Sequence, residues 1–104
     1  MSIMELNKET IANEITNNYI AVIEFYSNTC SVCQMLIPVL EELSQEQTKV
    51  KFFKINTEQN MQICMTYRVL SLPTTLIFKD GELVEKVSGF RTKEEIEEIL
   101  KKVE

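Results

Sequence analysis

Histidine is absent from this 104-residue chain, as is tryptophan, and glycine and proline occur only twice each. Without histidine, neither Ser-His-Asp nor Cys-His catalysis can be assembled, and every histidine-containing zinc site is excluded. The two glycines, Gly81 and Gly89, cannot supply a Walker loop or a GxGxxG turn. Positive charge is scarce as well. Eleven Lys and Arg against 16 Asp and Glu leave a net charge of −5, and phosphate binding needs clustered cations, so neither nucleic acid nor an anionic membrane is an expected partner. The longest uncharged run, Phe25 to Leu40, is 16 residues, too short to span a bilayer and interrupted by Pro38. Met1 to Thr10 has no apolar core, so no secretory signal is expected and the expected compartment is the cytosol.

What is present is the material of one globular domain. The chain is 44% hydrophobic and 26% charged, ordinary proportions for a protein with a packed interior. Area scaling gives roughly 17,500 Å² unfolded and about 6,000 Å² folded, so about two-thirds of the surface can be buried without metal or disulfide staples. No repeat, linker or composition break divides the sequence, and a single, monomeric domain over residues 1–104 is expected.

Hydrophobic spacing predicts nine elements in the order β-α-β-α-β-α-β-β-α. Ile3 to Leu6 alternates as a short edge strand. Asn7 can cap a helix through Ile11, Ala12 and Ile15. Ile20 to Tyr26 is nearly continuously apolar, as buried central strands are, with Glu24 as the exception. Val32, Leu36, Val39, Leu40 and Leu43 form one apolar stripe of a long helix, with Pro38 predicting a kink inside it. Val50 to Ile55 is a second apolar strand, and Met61, Cys64 and Met65 share a face of a short helix whose stripe is expected to be packed. Thr74 to Phe78 and Glu82 to Val87 are strands joined across Asp80-Gly81, a type I′ hairpin signal. Thr92 and Glu95 form a capping box for a last helix that buries Ile96, Ile99, Leu100 and Val103. Glu97 with Lys101 and Glu98 with Lys102 are supportive pairs on its wet face. Early βαβ units followed by a hairpin imply an α/β mixed sheet with helices on both faces.

The chemistry is concentrated in Cys30 and Cys33. Cys30 follows a strand and opens a helix, where unpaired N–H groups and the positive dipole end stabilise a thiolate, the nucleophilic form of cysteine. Cys33, one helical turn on, is within reach of a disulfide. Cys30 can attack a partner disulfide, and Cys33 can resolve the mixed disulfide that results. Three other readings compete. A structural zinc needs four ligands, and this pair plus Cys64 is one short. An iron–sulfur cluster meets the same shortage. The two cysteines can also be small buried hydrophobes. A C-x-x-C beside a βαβ pattern in a cytosolic protein points to redox chemistry, with no metal or other cofactor.

The stretch Ile23-Glu24-Phe25-Tyr26-Ser27-Asn28-Thr29-Cys30-Ser31-Val32-Cys33-Gln34, together with Pro38, Leu72-Pro73-Thr74, Phe78-Lys79-Asp80-Gly81 and Gly89, resembles the thioredoxin family over nearly the whole chain. The resemblance implies the thioredoxin fold, about five strands flanked by about four helices, and protein-disulfide reduction. It implies Cys30 as nucleophile and Cys33 as resolving thiol, with thioredoxin reductase or a similar electron donor and disulfide-containing client proteins as partners. It also implies a cis bond before Pro73, which the residues alone do not predict, and a backbone at Leu72-Pro73-Thr74 that pairs with an extended substrate segment.

Glu24 stands where the family has a buried acid that assists proton transfer at the resolving cysteine. From alternation alone an exposed strand face is the lesser alternative; if buried and unpaired, its pKa should rise. Lys54 matches the family's lysine near this acid, although an ordinary surface lysine fits the residues as well. Cys64 reads as a small packed residue, with a regulatory thiol as the lesser alternative. The family's Trp-Cys-Gly-Pro-Cys is here Thr29-Cys30-Ser31-Val32-Cys33. Thr29, Ser31 and Val32 flank the dithiol where a substrate would touch, and their departure from the family leaves two other functions open. One is a specialised redox protein with one dedicated reductase or client; the other is a non-catalytic binding module.

Overall fold

A computed structural model describes residues 3–104. The elements are β1 (Met4–Leu6), α1 (Ile11–Asn17), β2 (Ile20–Tyr26), α2 (Ser31–Glu46), β3 (Val50–Asn56), α3 (Met61–Thr66), β4 (Thr74–Lys79), β5 (Glu82–Ser88) and α4 (Lys93–Val103). A single 3-10 turn, Thr57–Gln59, lies outside the expected elements and joins β3 to α3. The five strands form one sheet in the order β1-β3-β2-β4-β5. The first three are mutually parallel; β4 runs antiparallel to β2, and β5 antiparallel to β4. The exposed area, 6,020 Å², matches the size expectation.

Every residue of β2 is buried, because helices cover both sides of the sheet. Ile20 and Val22 pack with Leu36, Leu40 and Leu43 of α2 and with Ile96 and Leu100 of α4. Ala21, Ile23 and Phe25 point the other way, into a second core with Ile11 and Ile15 of α1. That two-sided burial is why the strand reads as an unbroken apolar run. It also settles the ambiguity at Glu24: no exposed face exists there, and its exposure is 0%.

The hairpin and the cap of the last helix form as their signals predict, while of the helix's expected inward stripe Ile96 and Leu100 are buried and Ile99 and Val103 only half-buried. Asp80 and Gly81 both have positive φ, +52° and +85°, the requirement of a type I′ turn. Thr92 Oγ1 accepts from the Glu95 N–H while Glu95 accepts from the Thr92 N–H, a complete capping box.

Elsewhere tertiary packing overrides the local pattern. Asn7 caps a preceding turn, accepting from the Glu9 and Thr10 N–H groups, so α1 begins at Ile11; of its three predicted inward residues only Ile11 and Ile15 are buried. In α2 the inward stripe is Cys33, Leu36, Ile37, Leu40 and Leu43, while Val32 is exposed beside the dithiol. The α3 stripe is not packed. Met61 and Met65 are 65% and 75% exposed, and the inward contacts come from Ile63, Tyr67 and a half-buried Cys64. A helix of six residues makes too few turns to bury a whole stripe. Among the described residues the ion pairs do not include the predicted Glu97–Lys101 and Glu98–Lys102. Lys93 instead reaches from α4 to Glu42 and Glu46 of α2, at 2.9 and 2.7 Å. Exposed side chains gain little from one fixed pairing geometry, which leaves α4's own pairs unformed.

Candidate active site

The chain leaves β2 at Tyr26 and turns through Ser27-Asn28-Thr29 into α2. Cys30 is the N-cap, in extended conformation (φ −92°, ψ 102°), and its Sγ accepts a hydrogen bond from the Cys33 N–H at 3.2 Å. The free N–H groups of the first turn of a 16-residue helix thus face the sulfur, the environment that favours a thiolate. The turn is braced from both sides of Ser27. Its carbonyl accepts from the Cys30 N–H at 3.3 Å and from the Gln34 amide at 3.3 Å. Sequence reasoning gives Gln34 no such part, because the contact depends on the turn closing.

Cys30 and Cys33 are joined in a disulfide, their Cα atoms 5.3 Å apart. Their burial differs: Cys30 is partly accessible and Cys33 fully buried. An incoming sulfur can therefore reach only the first of the two. This asymmetry leaves Cys30 as the sulfur open to contact from outside and Cys33 shielded behind it.

The segment before β4 lies at the end of the sheet from which the turn into α2 departs, since Thr74 pairs with Phe25 of β2. The Leu72–Pro73 bond is cis. The Pro73 carbonyl accepts from the Gly89 N–H at 2.8 Å, and Thr74 Oγ1 donates to the Ser71 carbonyl at 2.6 Å. Gly89 has φ +83°, a conformation that costs a glycine nothing, and so links the end of β5 to this loop. Leu72 is half-buried and Pro73 and Thr74 are buried, so the two latter side chains support the loop, and Leu72 is the one at the surface. Thr29, Ser31 and Val32 are all exposed around Cys30.

Glu24 sits on the same sheet face as Ile20 and Val22, the face α2 covers, and Cys33 is buried on the inner side of α2. Neither carboxylate oxygen of Glu24 has a hydrogen-bond partner. Burial pushes its pKa up to about 8, with the Lys54 ammonium pulling in the opposite direction. Lys54 is the residue opposite Glu24 on β3. The structure thus brings Glu24 and Lys54 together beneath the helix that carries the dithiol.

Cys64 lies apart. It lines an open hollow of about 480 Å³ with Met61, Met65, Arg68, Leu70 and Leu72, and burial raises its thiol pKa. Leu70, 94% exposed at the rim, is a residue that sequence reasoning misses; a leucine in the polar turn before Pro73 is the available signal.

Comparison with known proteins places this geometry. The thioredoxin family model matches residues 2–102. The chain belongs to the thioredoxin family. It is 38% identical over 103 residues to a thioredoxin of Bacillus subtilis, covering 98% of each chain. It is 35% identical over 95 residues to a thioredoxin of Mycoplasmoides gallisepticum, covering 91% of this chain and 95% of that one. Among solved structures, a point-mutant thioredoxin from Halobacterium salinarum superposes with a TM-score of 0.91 at 29% identity, over 97% of this chain and 89% of the other. Oxidised mitochondrial thioredoxin 3 of Saccharomyces cerevisiae gives 0.88 at 32% identity, over 96% and 94%.

As a thioredoxin-family oxidoreductase, the protein carries out thiol–disulfide exchange through Cys30 and Cys33. In general terms its partners are disulfide-bearing client proteins and a reductase donor. Among the described residues no helix is long and apolar enough to cross a membrane.

Proposed function

We propose that the protein acts as a cytoplasmic, monomeric, single-domain reductant of client disulfides, with the following division of labour. The Cys30 thiolate attacks one sulfur of a client disulfide. A Cys30–client disulfide forms and the other client sulfur leaves as a thiolate, which takes a proton from water. Glu24, in its ionised fraction, receives the Cys33 proton. The Cys33 thiolate then attacks Cys30 Sγ, closing the Cys30–Cys33 disulfide and expelling the second client sulfur as a thiolate, which takes a proton from water while Glu24 returns its own to solvent. Two electrons from a thioredoxin reductase or a similar donor reopen the pair.

Lys54 tunes Glu24. The backbone at Leu72-Pro73-Thr74 and the exposed Thr29, Ser31 and Val32 form the docking rim. The observation that carries this reading is the contrast between a reachable Cys30 at a helix N-terminus and a buried Cys33 on the inner side of the helix that covers Glu24's face of the sheet.

A second reading, a carrier for one dedicated reductase or client, is favoured by Thr29 and Ser31-Val32, which replace the family's aromatic and Gly-Pro beside the dithiol. Turnover with a general NADPH-dependent thioredoxin reductase, using insulin as client, separates the two. Efficient NADPH oxidation is expected. Reduction of insulin with dithiothreitol but not with that reductase would support the dedicated carrier, and failure with both would support a binding module.

A further inference from the structure

The register of the sheet sets four side chains in one row across it. Glu5 of β1 stands opposite Lys54 of β3, Lys54 opposite Glu24 of β2, and Glu24 opposite Thr75 of β4. Lys54 therefore lies between two carboxylates, one exposed at the sheet edge and one fully buried. Neither is within 4.0 Å of it, for among the described residues the ion pairs at that range are both made by Lys93. An exposed carboxylate would be the default partner of this lysine, since neither group would have to shed its water.

Tyr26 touches both groups. Two residues beyond Glu24 on the same strand, and so on the same face, its hydroxyl donates to Glu5, lying 2.7 and 2.8 Å from the two carboxylate oxygens. Its ring meanwhile carries the Lys54 ammonium, 5.8 Å from the centroid, in the range of a cation–π contact. Burial and the Glu5 charge push the phenol pKa up to about 12, so it stays a donor throughout the neutral range.

We propose that Glu5 and Tyr26 form a clamp that keeps the Lys54 ammonium available to Glu24 and thereby sets the proton affinity of that buried acid. The part this plays in catalysis rests on the proton-carrying role given to Glu24 above. The clamp itself does not, and Glu5 and Tyr26 are positioning residues. Few other charges bear on Glu24. Thr75 of β4 is neutral, Cys33 is the titratable side chain on the inner face of α2, and the Arg91 guanidinium ahead of α4 is engaged with the Ser88 and Phe90 carbonyls.

The Glu24 carboxyl can be titrated by ¹³C NMR in the oxidised protein, where Cys33 carries no proton. Tyr26→Phe keeps the ring but frees Glu5 to draw Lys54 away. It should raise the Glu24 pKa by about 0.5, a roughly threefold change in proton affinity. Glu5→Gln removes the competitor and should lower it by a similar amount. On the Glu5→Gln background, the effect of Tyr26→Phe should vanish. A Glu24 pKa unmoved by Tyr26→Phe, or moved equally in both backgrounds, overturns the clamp. The proton-carrying role is judged separately, by whether Glu24→Gln alters the pH profile of mixed-disulfide resolution. A profile that Glu24→Gln leaves unchanged removes that role, while the clamp still stands or falls on the NMR titration.

Discussion

Cys30→Ser is expected to lower the rate of insulin-disulfide reduction on the order of a thousandfold or more, because the substitution removes the only sulfur an incoming disulfide can reach at this site. A serine hydroxyl at the same N-cap can still accept the Cys33 N–H, so α2 and its capping hydrogen bond survive and the fold is retained. The loss is therefore chemical. The remaining thiols cannot replace Cys30: Cys33 is fully buried, and Cys64 lies in the hollow beyond Leu72, its thiol disfavoured as thiolate by burial. Retention of more than about a tenth of the wild-type rate would show that attack does not pass through Cys30.

The second large effect concerns stability. Glu24 is buried with both oxygens unpartnered, and its pKa in the folded protein is about 8 against an ordinary 4.5. Below pH 4.5 both folded and unfolded chains hold the proton and the group contributes no pH dependence. Between 4.5 and 8 the unfolded chain has released its proton while the folded one retains it. Stability consequently falls as pH rises, by at most about 1.4 kcal/mol per pH unit, and levels off once the folded protein also ionises. Glu24→Leu replaces the carboxyl with an apolar group in an apolar setting. It should abolish this decline and stabilise the oxidised protein by about 3 kcal/mol at pH 8.5, with a much smaller gain at pH 5. Urea unfolding of both proteins at the two pH values measures the difference, from which contributions shared by both, such as that of Cys64, cancel. A pH-independent difference would place Glu24 in a hydrated or paired environment.

Much of this is legible in the sequence where the determinants are local. The Asp80-Gly81 turn needs positive φ at two neighbours and announces itself. Thr92 and Glu95 cap each other across three residues. The dithiol's position between a strand and a helix follows from hydrophobic spacing, and with it the thiolate argument. What is not legible depends on what lies across space. Alternation cannot tell whether Glu24 is buried, because only helices on both sides of β2 decide it. The exposure of Met61 and Met65 follows from the shortness of α3 and from a hollow that no neighbour fills. The Glu5–Tyr26 contact spans 21 residues of sequence and exists only because β1 pairs with β3 in one particular register. Lys93 likewise finds Glu42 and Glu46 through the packing of α4 beside α2.

The most direct measurement is the intact mass and peptide map of Cys33→Ser after brief exposure to a disulfide-bearing client. With resolution blocked, the account predicts a stable adduct of one client per chain, linked through Cys30 and released by dithiothreitol. No adduct, or an adduct mapped to Cys64, would contradict it.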